Sequence, residues 1–176
     1  MVSPSYKIVE YDADWPAQFE QERALVASAL GIDEGHVVHI GSTSVPGLAA
    51  KPIIDMMVGI SAIEEAEGVV ASLEGVGYEL RGERVPGTLR LSKATPRRYH
   101  LHITAQAGRF WVDLLLFRDH LRSHADARKQ YGRLKRDVRS SLAADSPPRA
   151  YNEGKADFIR ATMAEARREC EHETGA

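Results

Sequence analysis

A single cysteine, Cys170, stands in the 176 residues, so no internal disulfide can cross-link the chain. Cysteine use this sparse fits a reducing compartment, and a lone Cys in a charged C-terminal stretch reads as incidental. The charge balance also lacks an excess of either sign: 23 Lys and Arg against 25 Asp and Glu leave a formal net charge of -2. A protein whose main task is coating nucleic acid needs a basic surplus, so that class is set aside. No apolar run approaches the ~18 residues of a membrane helix, and the N-terminus does not read as a secretory or transit signal. The expectation is a cytoplasmic protein with no membrane partner. Both common phosphate loops are missing too. Gly41 and Gly47 are too far apart for a G-x-x-x-x-G-K-[ST] loop, Leu48 stands where its lysine belongs, and no G-x-G-x-x-G occurs.

What is present suits one folded domain spanning residues 1–176. Hydrophobic residues make up 43% and charged residues 27%, enough for one core and too little chain for two. "YKIVEY" alternates as a short first strand or extended arm. Asp14 and Pro16 offer a start for a helix over "AQFEQERALVASALG", which Gly31 stops. "HVVHIG" reads as a strand, "STSVPG" as a loop, and "KPIIDMMVGI" as a second strand with its proline at the entry. "AIEEAEGVVASLEGVG" reads as a helix, and "YEL", "TLRLSK", "RYHLHITA" and "RFWVDLLLF" as four strands. From Arg118 onward helix formers dominate: one helix before "DSPP", and a final one over "YNEGKADFIRATMAEARRECEHE". The predicted class is α+β (α/β-like), a mixed sheet flanked by helices with helices last. Strands at 36–41, 52–60, 98–104 and 110–117 are expected in one sheet.

The chemistry concentrates in "HIGSTSVPGLAAKPIIDMMV", residues 39–58. Gly41, Ser42 and Thr43 follow a strand, where backbone N–H groups and hydroxyls can meet a phosphate; a plain turn with capping hydroxyls is the competing reading. Asp55 shares a strand face with Ile53 and Met57. A carboxylate there is costly unless it is paired, hydrogen-bonded or metal-bound. His100 and His102 leave their strand on one face and suit a base, a phosphate donor or a metal pair equally. Lys51 could supply a point charge to a phosphate. Arg97, Arg98, Arg118 and Arg122 read as solvated or paired, with Arg118 and Asp119 as a structural pair. Tyr151 and Lys155 fall four apart on the predicted final helix.

Strand, Gly-Ser, loop, then a strand carrying an inward Asp resembles the opening of nucleotidyltransferases of the DNA polymerase beta type. "HIGSTSVPGLAAKPIIDMMV", together with "YHLHI", "LLFRDHLR" and "YNEGKADFI", resembles the GrpB family more closely, from about Val9 to about Ile159. The resemblance implies the nucleotidyltransferase superfamily and relatives that occur alone or fused to dephospho-CoA kinase. It matches Gly41 and Ser42 to the superfamily's Gly-Ser pair, and Asp55 to its first strand carboxylate. The second carboxylate would lie two residues on, where this chain has Met57; Asp113 is the candidate replacement from a neighbouring strand.

The leading expectation is a nucleotidyl- or phosphoryl-transferase using a nucleotide and Mg2+ or Mn2+. Gly41, Ser42, Thr43 and Lys51 would hold the phosphates and Asp55 with Asp113 the metal. His100 or His102 would assist the reaction. The alternative is a non-catalytic module for a nucleotide, a CoA-type ligand or another phosphate-bearing small molecule; a phosphohydrolase built on His100, His102 and Asp113 comes third. If Asp55, Asp113 and the histidines converge, catalysis gains; if Asp55 is paired and alone, the binding module gains. Either reading requires an electropositive cleft in a chain of net negative charge.

Overall fold

A computed structural model describes residues 7–61, 66–94, 98–143 and 145–174 of the chain. Five strands, β1 (Val37–Ile40), β2 (Ile54–Ile60), β3 (Glu79–Val85), β4 (Thr88–Lys93) and β5 (Tyr99–Ala105), form one sheet in the order β1-β2-β5-β4-β3. Only the β2–β5 pairing is parallel; β1–β2, β4–β5 and β3–β4 are antiparallel. Residues 8–11 form no strand, and Val9 contributes only an isolated bridge to Ala50. Tyr6, at the head of the expected arm, lies outside the described residues, as do Ala62, Ile63, Glu64 and Glu65 of the second predicted helix, and Arg97.

The two faces of the sheet follow the period-2 alternation of the strands. Ile54, Met56 and Val58 of β2, Leu101 and Ile103 of β5 and Leu91 of β4 pack against α1 (Trp15–Leu30), with Leu73 of α2 (Ala66–Glu74) in the same core. Trp15, Phe19 and Val26 of α1 are all buried there. Within this layer Glu22 accepts hydrogen bonds from Tyr78 (3.0 Å) and Lys93 (2.8 Å), fastening α1 to β4. The opposite face carries Asp55, Met57, Arg90, His100 and His102, and is covered by the later helices. These are α3 (Arg109–Ser123), α4 (Ala125–Ser141), α5 (Pro148–Glu153) and α6 (Ala156–Thr174).

Three expectations are corrected here, one of them the single helix before "DSPP", which is divided at His124, extended at φ -109° and ψ 97°, into α3 and α4. "RFWVDLLLF" is helical, the first part of α3, so the sheet has no strand at 110–117. A short apolar run does not distinguish a strand from a helix packed on two sides, and this one packs against two apolar clusters. Trp111, Leu114 and Leu115 meet Ile40 and Met57 beneath the sheet, while Phe117 and Leu121 meet Tyr131, Val45 and Leu48. The predicted final helix is also broken, at Gly154, into α5 and α6. A Cβ on Gly154 would stand 2.6 Å from Val138 Cγ1, so the turn lies against α4 closer than any other residue allows.

Candidate functional site

The sheet face under α3 to α6 opens into a cleft of about 600 Å3. Ser42, Thr43, Lys51, Asp55, His100 and His102 all line it, together with Arg90, Lys135, Tyr151 and Lys155. Strand register explains the convergence. Ile40 pairs with Asp55, so the chain leaves β1 at Gly41 beside the carboxylate. Asp55 in turn pairs with His100, Met57 with His102, and His102 with Arg90 across β5 and β4. Gly41 adopts φ 69° and ψ -170°. A Cβ there would lie 2.7 Å from Asp55 Oδ2, so glycine is required by both conformation and space.

The turn after Gly41 is held from three sides. Ser44 Oγ donates to the Gly41 carbonyl at 2.6 Å. Arg122 donates twice to the Ser44 carbonyl, at 3.0 and 2.8 Å, and Arg118 once to the His39 carbonyl at 3.0 Å. Arg118 also pairs with Asp119 at 2.7 Å, the structural pair expected from sequence. His39 faces the other side of the sheet, stacked on Phe19 at 4.6 Å, and its Nε2 lies 3.0 Å from Thr43 Oγ1. Burial, helped by Arg122 and Arg118 and opposed by Asp55, lowers the His39 pKa to about 4. His39 is thus a neutral pin for the loop.

Asp55 is paired. Its Oδ1 lies 3.0 Å from His100 Nδ1, and the other ring nitrogen, Nε2, lies 2.9 Å from an Arg90 guanidinium nitrogen. A guanidinium only donates, so Nε2 accepts, and the imidazole proton sits on Nδ1, donated to Asp55. Burial works against the Asp55 charge. The His100 hydrogen bond, with the imidazole and guanidinium groups of His100, His102 and Arg90, outweighs burial and holds the carboxyl below its ordinary range.

Three lysines face this chain of polar groups. Lys135, only 2% exposed, donates to Ser42 Oγ at 2.9 Å. Lys51 and Lys155 stand over the Tyr151 ring at 4.1 and 4.2 Å. Burial, then the charges of Lys155 and Arg136, lowers Lys135 to about 7. Burial and Lys51 lower Lys155 to about 8 against the pull of Asp55, and burial and Arg139 lower Lys51. Among the described residues neither Lys135 nor Lys155 forms an ion pair with a carboxylate. Four cationic side chains and one carboxylate line the cleft, an electropositive site in a chain of net charge -2.

Asp113 is not brought to this group. It sits on α3, accepts a hydrogen bond from Arg167 of α6 at 2.7 Å, forms a looser ion pair with Arg109 at 3.6 Å, and lines a second, largely apolar cavity. Met57, at the strand position of the missing second carboxylate, is fully buried under Trp111 and Ile40. The donor set around Asp55 therefore does not fit a resident magnesium or manganese centre. A single carboxylate is present, with one oxygen bonded to His100 and the other against Gly41, and no second anionic side chain lines the cleft among the described residues. Lys135 and Arg90 were missed from sequence. Lys135 hides in an arginine-rich helix, and only the fold carries it 93 residues back to Ser42.

A family model described as GrpB protein matches residues 5–165. A UPF0157 protein of Streptomyces coelicolor is 41% identical over 157 residues, covering 89% of this chain and 82% of that protein. A dephospho-CoA kinase of Mycolicibacterium paratuberculosis is 29% identical over 167 residues, covering 79% of this chain but only 41% of its own length. Among solved structures, GrpB from Enterococcus faecalis superposes with TM-score 0.80 at 34% identity, covering 93% of this chain and 98% of that one. A chain of the GLD-2/RNP-8 complex superposes with TM-score 0.53 at 14% identity over 76% of this chain and 55% of its own, a likeness of fold alone. The fold is α+β and nucleotidyltransferase-like. Among the described residues no helix is long and apolar enough to cross a membrane.

Proposed function

The chain belongs to the GrpB family, and we propose that its cleft is a binding site for a phosphate-bearing small molecule, a nucleotide or a CoA-type ligand. The observation that carries this reading is the meeting of Lys51, Lys135 and Lys155 with the Ser42 hydroxyl in one cleft. Ammonium groups desolvated to this degree are costly, and a polyphosphate returns the lost interaction through charge-assisted hydrogen bonds. The Gly41–Ser44 turn is pinned by Arg118, Arg122 and His39, so the hydroxyls at its tip are set before the ligand arrives. Lysines thus supply the charge neutralisation that a metal would otherwise bring, and Asp55, held by His100, is engaged within the protein.

Nucleotidyl or phosphoryl transfer is the second reading. It is favoured by Asp55 at the expected strand position and by the imidazole of His102 on the cleft wall. Both readings share the ligand and differ in turnover.

Differential scanning fluorimetry and calorimetry with nucleoside triphosphates, CoA and dephospho-CoA, with and without magnesium, test the proposal. Saturation near 100 Kd should raise stability by about 2.7 kcal/mol. Lys155→Gln should weaken binding at least about tenfold, the loss of one charge-assisted contact. Failure of every phosphate-bearing compound to bind would overturn both readings, and release of pyrophosphate or of a phosphorylated product would favour the second.

A further inference from the structure

Away from the cleft, where the C-terminal end of α3 meets α6, His120, His124 and Glu169 come together. One ligand atom from each lies within 4.8 Å of the others. His120 Nδ1 is 3.0 Å from Glu169 Oε2, and His124 Nε2 is 3.2 Å from Glu169 Oε1. In a tetrahedral zinc site with bonds of ~2.0–2.1 Å, neighbouring donor atoms stand ~3.3 Å apart, so the three ligand atoms, now within 4.8 Å of one another, would draw together around the ion. The cluster shares no residue with the cleft.

Hydrogen bonding defines what the imidazoles can do. His124 Nδ1 lies 3.0 Å from the His120 carbonyl, which only accepts, so Nδ1 carries a proton. In the neutral ring the Nε2 lone pair then points at a carboxylate oxygen, and two acceptors face each other across 3.2 Å. A positive species must stand between them: a second proton on His124 or a metal cation. A backbone carbonyl bound to Nδ1–H is also the usual support that fixes the tautomer of a metal-ligating histidine. His120 adds a side chain only 2% exposed, whose Nε2 is buried with no hydrogen-bond partner among the described residues. Its ring stacks on that of His124 at 4.0 Å. A neutral His120 meets its carboxylate oxygen through Nδ1–H, so the choice lies at His124, between a second proton and a cation that both rings share.

We propose that His120 Nδ1, His124 Nε2 and the Glu169 carboxylate bind a zinc-class divalent cation. Two imidazoles and one carboxylate suit zinc and its neighbours rather than magnesium or calcium. The ion would tie the end of α3 to α6 across 49 residues of chain, as a structural cross-link independent of whatever occupies the cleft.

The test uses the full untagged chain carrying Cys170→Ser, so that a thiol cannot mimic the site, stripped with a chelator and titrated with zinc chloride. One equivalent should bind and raise Tm, and cobalt substituted for zinc should give the visible bands of a four- or five-coordinate N/O site. Loss of a supporting contact alone costs ~10–100-fold in metal affinity, so His124→Ala and Glu169→Gln should each weaken binding by about 100-fold or more. Both side chains are more than 40% exposed, so these variants should keep the fold, verified by circular dichroism. Asp55→Asn should leave zinc binding unchanged. Absence of stoichiometric uptake, or uptake indifferent to both substitutions, would overturn the proposal and leave a proton-shared His–Glu pair.

Discussion

Adding inorganic triphosphate to the protein at pH 8 should draw protons out of the buffer. In the ligand-free cleft Lys135 titrates at about 7 and Lys155 at about 8, both lowered chiefly by burial. At pH 8 they are therefore ~10% and ~50% protonated, and at pH 6 almost fully so. A bound polyanion restores the charged forms by pulling both pKa values back up. The two lysines should then take up about 1.4 protons at pH 8 and only ~0.1 at pH 6, the net uptake being this less the protons the triphosphate itself gives up on binding. Calorimetry at pH 8 in Tris and in HEPES, which differ in ionisation enthalpy, reads this number from the difference in apparent heat. Lys135→Gln should reduce uptake to roughly 0.5 proton, the share left to Lys155. For wild type, affinity should fall with rising pH, by up to about three decades between pH 6 and 9 if both lysines stay charged in the complex. Stability of the ligand-free protein should run the other way. The unfolded chain holds the Lys135 proton up to an ordinary 10.5, so it binds more protons than the folded state above pH ~7, and stability climbs from there to ~10. Tight binding at pH 8 with no proton uptake would refute the assignment of these two lysines as the phosphate ligands.

Gly41→Ala should cost about 1–3 kcal/mol in urea unfolding through its positive φ, with further loss from the clash with Asp55 Oδ2; stability within 0.5 kcal/mol of wild type would contradict the close approach. Glu22→Ala should cost roughly 3–5 kcal/mol because the Lys93 ammonium, 12% exposed, loses the carboxylate that accepts from it and from Tyr78. Met57→Asp should destabilise by several kcal/mol rather than create a magnesium site, since the side chain is sealed between Ile40 and Trp111. Magnesium titration that shows new binding in a folded Met57→Asp variant would reverse that inference.

Elements with strict alternation or clear stops were legible in advance. β2 and β5 announce themselves by apolar residues on every second position, and the same alternation places Asp55, His100 and His102 on one face. The Gly41 turn was legible as a turn because a glycine followed by two hydroxyl residues ends the apolar run of β1. α3 was not: it opens without a capping side chain, at Gly108, and packs against two apolar clusters while Val112 stays exposed, so apolar residues fill nearly every position and blur the helical period. Asp113 fell with it. The expected neighbourhood of Tyr151 and Lys155 holds by another route: Gly154 turns the chain between them, and Lys155 folds back over the Tyr151 ring. Lys135 was invisible because its importance comes from isolation, a cation removed from water. In sequence it is one of many basic residues in α4.

The lysines and Met57 belong to one arrangement. A strand face with two carboxylates would gather cations, and cationic side chains would compete with them for the phosphates. With Met57 turned into the apolar layer beneath α3, the face keeps one carboxylate, and that one is tied to His100 and, through it, to Arg90. For the phosphate-bearing ligand proposed above, the positive charge would come from the chain itself, through elements packed above the sheet: Lys51 from the loop before β2, Lys135 from α4 and Lys155 from the turn between α5 and α6. Their mutual repulsion contributes to the lowered pKa values, so ligand, protonation and the docking of the C-terminal helices over the sheet are energetically linked.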